Sequence, residues 1–169
     1  FLMQKTASSM LRSLVGSEMC IRDRNTIWHR KPNLSEIKKM SKKTIDEYLG
    51  IEITEVGDDF LAGKIPVNET TSQPYGIIHG GANIVLAESL GSIACAHVID
   101  VEKEICFGQE VNASHIRPVF SGFVTGVAKP LHIGRGTHIW QIELKNEQDK
   151  LSCFVKLTMA IKKRADLSY

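Results

Sequence analysis

Between Gln73 and Asp100 the chain reads QPYGIIHGGANIVLAESLGSIACAHVID, and this stretch leaves few choices for the rest. A turn-rich approach (Gln73-Pro74-Tyr75-Gly76) leads into His79-Gly80-Gly81, and about twenty apolar or small residues follow. Read as a helix, it has no polar face: Ile84, Val85, Leu86, Leu90, Ile93, Ala94 and Val98 point all around the axis. Such a helix is expected at the centre of a fold, where every side leaves water. Between His79 and Ile99 the only acid is Glu88, whose helical neighbours are Ile84, Val85, Gly91 and Ser92. A carboxylate there loses hydration, and its pKa should rise unless a partner compensates. That marks Glu88 as a candidate functional group.

The flanking patterns show what could enclose the helix. Ser35–Tyr48 has helical spacing, with Leu34, Ile37, Ile45 and Leu49 as its apolar stripe and Ser35 as its cap. Ile51–Val56 and Phe60–Val67 read as strands joined by a turn at Gly57-Asp58-Asp59, and Asn68–Gly76 as a loop. After Asp100 everything is strand-like: Glu104–Val119, Gly122–Lys129, Thr137–Leu144 and Leu151–Ile161, the last pair joined by a hairpin at Asn146–Asp149. Leu151, Cys153, Val155, Leu157, Met159 and Ile161 alternate most cleanly. The expectation is an α+β fold: one antiparallel sheet wrapped around the central helix and burying it on all sides.

The 169 residues suit one domain, and 43% hydrophobic content is ample for its core. A formal charge of +2, with Lys and Arg dispersed, argues against a general nucleic-acid binder. Glu88, His97 and several Ser and Gly residues interrupt the apolar run, so no membrane span is expected. Cys20, Cys95, Cys106 and Cys153 have no CxxC spacing and no His partner at zinc-ligand spacing. They read as reduced thiols of a cytoplasmic protein, with no metal and no redox cofactor. Residues 1–24 differ in character: they are basic and Ser-rich like a targeting segment, yet contain Glu18 and Asp23. The run LVGSEMCIRDR also resembles translated adaptor sequence. The expected division is a non-native or disordered leader, 1–24, and a single domain, 25–165.

The segment QPYGIIHGGANIVLAESLGS, with GQEVNASHIRP and KPLHIGRGTHIWQIEL after it, resembles the hotdog-fold acyl-CoA thioesterases. It is most similar to the subgroup with a glutamate in the central helix, which includes hydrolases of aryl- and naphthoyl-like CoA thioesters. The resemblance covers roughly Thr26 to Lys162. It implies the hotdog fold, and CoA as part of the substrate with no cofactor besides. Glu88 matches the base or nucleophile, Gln73 and His79 the groups that orient the thioester, Gly80 the oxyanion donor, and Ser92 the hydroxyl beside the carboxylate. The resemblance also implies that Gly108, His115, Ile116 and Arg117, with His132, Gly134 and Arg135, line the CoA channel. The basic groups His115, Arg117, Lys129, His132, Arg135 and His138 suit the phosphates of such a nucleotide.

The residues support this chemistry directly. Free amides at a helix start can stabilise an oxyanion, and glycine allows close approach. Glu88 lies about 13 Å along the helix from that start, too far to meet a carbonyl held there. The acid must then come from a second, antiparallel helix, so the spacing predicts a site shared across a homodimer. A homotetramer is expected from the family resemblance alone. Bland readings stand beside each role: a loop glutamine, a capping histidine, and small residues for helix packing. The expected activity is hydrolysis of an aromatic acyl-CoA, or of an acyl-carrier thioester, to an acid and a thiol. Alternatives are a hotdog dehydratase and a non-catalytic acyl-CoA or acyl-carrier binding module.

Overall fold

The computed structural model describes residues 26–167. Within them, α1 (Leu34–Met40) and α2 (Ile45–Leu49) precede β1 (Glu52–Val56) and β2 (Leu61–Pro66). The long helix α3 (Gly80–Val98) comes next, followed by β3 (Glu104–His115), β4 (Phe123–Ile133), β5 (Thr137–Lys145) and β6 (Leu151–Lys163). A short 3-10 turn, Arg164–Asp166, ends the domain. The expected leader and Cys20 lie outside the described residues.

All six strands form one antiparallel sheet in the order β1-β2-β4-β5-β6-β3. It curls around α3, the arrangement of the hotdog fold. The alternation read in the sequence becomes the core: Trp140, Ile142 and Leu144 of β5 and Val155, Leu157 and Met159 of β6 face the helix, buried. Two paired glycines let the strands approach. Gly63 of β2 lies opposite Gly126 of β4, and the Leu90 side chain fills the notch between them. A Cβ at Gly126 would stand 2.7 Å from Leu144 Cδ2 and 2.8 Å from Leu90 Cδ1.

The sheet covers only half of α3. Ala82, Asn83, Leu86, Ala87, Leu90, Gly91, Ala94 and Cys95 are buried, while Ile84, Val85, Glu88, Ser92 and Ile93 on the other side stay half-exposed. Burial on all sides therefore does not occur within one chain, because a single sheet can wrap only one side of a helix. By length and composition α3 is apolar enough to cross a bilayer, contrary to the expectation from its polar interruptions. Here that apolarity serves the core instead, since its buried half packs on the sheet.

The first helix is also two helices. Ser41 Oγ donates to the Ile37 carbonyl, Thr44 Oγ1 donates to the Ser41 carbonyl, and Lys43 takes a left-handed φ of 60°. The cap of α1 is Asn33, whose Oδ1 accepts from the Ser35 and Glu36 amides, and not Ser35. Of the expected stripe only Ile37 is buried; Leu34 and Ile45 are exposed. Strand β3 stops at His115, where Ile116 N–H and Arg117 N–H both turn to the Ser152 carbonyl. Strand β4 runs on to Ile133, passing Pro130 with a register shift.

Because Leu90 seats the helix in the sheet, Leu90→Ala should cost about 2–5 kcal/mol of stability. Overfilling the same notch with Gly126→Val should cost about 1–3 kcal/mol. Urea denaturation of the two variants measures both.

Candidate active site

The start of α3 is built by a tight loop. Ser72 bridges Ile78, Gln73 N–H donates to the Ile77 carbonyl at 2.9 Å, and His79 N–H donates to the Thr71 carbonyl at 2.8 Å. Thr71 is buried and donates its hydroxyl to the Pro66 carbonyl at 2.6 Å, which anchors the loop to β2. This hairpin places Gln73 and His79 at one end of the helix.

His79 is the N-cap, as its bland reading held: its Nδ1 accepts from Gly81 N–H at 2.8 Å. That bond fixes the neutral tautomer, so Nε2 carries the proton and can donate outward. The Ala82 amide is taken by the His79 carbonyl at 2.9 Å. Gly80 N–H alone in this first turn has no acceptor among the described residues. It lies at the positive end of a helix of 19 residues. The His115 ring stands beside it; a Cβ at Gly80 would come within 2.9 Å of His115 Nε2. His115 thus stands at the helix end that carries the free amide.

Two turns along, Glu88 lies against β3. Its carboxylate rests on Gly108, where any Cβ would collide with Oε1. Ser92 Oγ donates to Glu88 Oε1 at 3.3 Å, and Met159 Sδ lies 3.8 Å from the same hydroxyl. Burial pushes the Glu88 pKa up, and the Ser92 hydrogen bond opposes that in part. No cation pairs with this carboxylate among the described residues. Gly108 is therefore a seat for the carboxylate before it is anything else.

The basic groups do not converge within one chain. His115 pairs with Cys153, whereas Thr137 and Phe107 both pair with Ala160 at the far end of β6. From Phe107 to His115 is roughly 26 Å of strand. His132, Gly134 and Arg135 thus lie at the β4–β5 hairpin, at the opposite end of the sheet from Ile116 and Arg117. The His132 ring covers Gly134, and Arg117 donates to the Leu151 carbonyl at 2.6 Å. His138 is no surface cation: it is 2% exposed, and burial, then His132, lowers its pKa to about 4. Strand alternation turns it inward, where its Nδ1 lies 3.3 Å from Cys95 Sγ.

Two contacts escaped the sequence. Ser89 Oγ donates to Asp46 at 2.6 Å, tying α2 to the helix beside Glu88. Asn83, 3% exposed, has a side-chain oxygen without a donor among the described residues. In the sequence Asn83 stands as a lone amide within an apolar run.

A free amide, a neutral imidazole and a half-buried carboxylate are the parts that acyl transfer needs. Residues 75–153 match the thioesterase superfamily. Over 135 residues the chain is 42% identical to the 1,4-dihydroxy-2-naphthoyl-CoA hydrolase of Escherichia coli, covering 80% of this chain and 98% of that protein. The chain belongs to the thioesterase superfamily. It is similarly 42% identical to the proofreading thioesterase EntH of Cronobacter turicensis, again over 80% of this chain and 98% of that one. The crystal structure of a mutant thioesterase from Pseudomonas aeruginosa superposes with a TM-score of 0.81 at 42% identity, over 82% of this chain and 99% of the other. A Haemophilus influenzae thioesterase also gives 0.81, at 34% identity, over 85% and 100% of the two chains. Like these relatives, this thioesterase is a thioester hydrolase with the hotdog fold.

With Glu88 as the acting carboxylate, its raised pKa should place the acid limb of the pH–rate profile higher than an ordinary glutamate would. Ser92→Ala removes the bond that lowers this pKa, so the limb should move to higher pH in kcat/KM profiles. His138 works in the other direction. Its unfolded form takes up a proton near pH 6.5 but its folded form only near 4, so stability should fall as pH drops through that window. His138→Gln should flatten the decline of the urea midpoint there.

Proposed function

We propose that this thioesterase hydrolyses aromatic acyl-CoA thioesters at sites shared between two antiparallel copies of the chain. One observation carries the reading: within a chain, the free Gly80 amide and the Glu88 carboxylate face the same open side of α3 but stand about 12 Å apart. Helix α3 runs antiparallel to β3, with Gly80 against His115 and Glu88 against Gly108. Among the described residues the outer edge of β3 has no strand beside it. Twelve residues of unpaired strand edge, with Phe107 and Val111 exposed, favour pairing with a second β3. A two-fold axis through the middle of that strand, near Val111, would carry the partner subunit's Gly80 toward this chain's Glu88. It would also bring the hairpin with His132 and Arg135 toward the partner subunit's Arg117. The basic groups that one chain keeps apart would then serve one nucleotide end of CoA.

In this reading the thioester oxygen accepts from Gly80 N–H and from His79 Nε2–H, with Gln73 holding the acyl portion in place. Negative charge developing on that oxygen is stabilised by the amide and the helix dipole. Glu88 from the other copy acts at the carbonyl carbon. As general base it takes a proton from water, whose oxygen forms the new C–O bond while the C–S bond breaks. As nucleophile it forms a mixed anhydride and expels the thiolate, and water then opens the anhydride. Ser92 holds the carboxylate or the water in either case. Both routes consume one water and give a carboxylic acid and CoA thiol. The name of the Escherichia coli relative supports an aromatic acyl group.

Thiol release from benzoyl-, naphthoyl- and medium-chain fatty acyl-CoA tests the reading. Aryl substrates should turn over fastest, and Glu88→Gln should lower kcat by about 100-fold or more. Glu88→Gln and Gly80→Val chains, each inactive alone, should regain activity when co-expressed, because one mixed dimer keeps one intact site. Failure of that rescue would exclude the shared site, and turnover indifferent to Glu88 would exclude the chemistry.

A further inference from the structure

A cavity of about 530 Å³ opens between α1, α2 and β1, and none of its lining residues belongs to α3 or β3. Ile37 is the one buried residue of α1, and Leu34, Ser35, Lys38 and Ser41 of that helix and its cap line the space between it and β1. The break at Ser41–Thr44 then folds α2 back and closes the far end. Leu34, Ile37, Ile51 and Ile53 form an apolar floor. Its size is that of small-molecule pockets, which are mostly apolar with a few polar groups fixing orientation.

The charges at the mouth leave a positive excess. Glu52 is engaged by Lys64 at 3.3 Å, and Glu47, which accepts the Lys43 backbone amide at 2.6 Å, keeps its negative charge as the one carboxylate facing two ammonium groups. Lys38 and Lys42, four residues apart, line the cavity and form no ion pair among the described residues. The Ser35 and Ser41 hydroxyls on the same rim are spent within the helix, on Asn33 Oδ1 and the Ile37 carbonyl. A neutral apolar ligand would leave both ammonium groups unused, and a cationic one would be repelled. A molecule with an apolar body and one anionic end satisfies floor and rim together.

The geometry points to a second ligand site in this cavity, for an amphipathic carboxylate whose chain lies on Leu34, Ile37, Ile51 and Ile53 and whose head sits between Lys38 and Lys42. The site is separate from the catalytic groups and stands whether or not the aromatic specificity holds.

Titration calorimetry of the full chain with decanoate tests it, with decyltrimethylammonium as the cationic control. Decanoate should bind saturably at one site per chain, and the cation should not. Lys38→Gln/Lys42→Gln should weaken decanoate at least tenfold, and Ile53→Trp, which fills the cavity from the floor, should abolish binding. Both variants should keep wild-type thioester turnover, which shows that they fold. Absent decanoate binding, equal binding of the cation, or affinity unchanged in both variants would each overturn the proposal. The last result would place the decanoate in the catalytic groove instead.

Discussion

The seating of Leu90 between Gly63 and Gly126 governs the rest of the molecule. Two strands can close on a helix this tightly only where both lack a side chain at the contact. That contact fixes how α3 is rotated, and with it which residues turn away from the sheet. Glu88 and Ser92 lie on the far side of the axis from Leu90 for this reason. The core and the chemistry are two faces of one packing decision.

The same rotation explains why the carboxylate carries a raised pKa without being sealed off. Gly108 admits it to the strand backbone, Ser92 offers a single hydrogen bond, and no cation compensates. A more generous environment would hold the charge more comfortably and make a weaker base. At the other end of the helix, the Nδ1 atom of His79 accepts from the Gly81 amide and its Nε2 stays free, while Gly80 keeps its amide free. In the proposed site, structural capping and catalytic preparation are the same arrangement.

Much of this was readable beforehand. The alternation from Leu151 to Ile161 gave its strand without ambiguity, and Glu88 stood out because nothing around it could solvate it. The long apolar helix implied a wrapping sheet, though not that the sheet would reach halfway round. What stayed hidden depended on register and on single backbone angles. His138 looked like one more cation of a basic loop, but its place in β5 turns it toward Cys95. His115 and Arg135 are expected in one channel, and within a single chain the pairing of β3 with β6 puts them at opposite ends of the sheet. The left-handed turn at Lys43 splits the first helix where Ser41 and Thr44 interrupt the good helix formers, and Thr44 with Glu47 three residues on marks the second start.

The helix start has a consequence for how such a protein loses activity. The loop from Thr71 to His79 is held by a few backbone bonds, a single bridge and the Thr71 anchor, whereas the middle of α3 is locked into the sheet. Local opening is easiest where buried contacts are fewest. Fraying of one turn would release the Gly81 amide from His79 and disperse the oxyanion donors, leaving the core and Glu88 undisturbed. The molecule can thus fall silent while remaining folded, with inactivation and unfolding as separate events along the same helix.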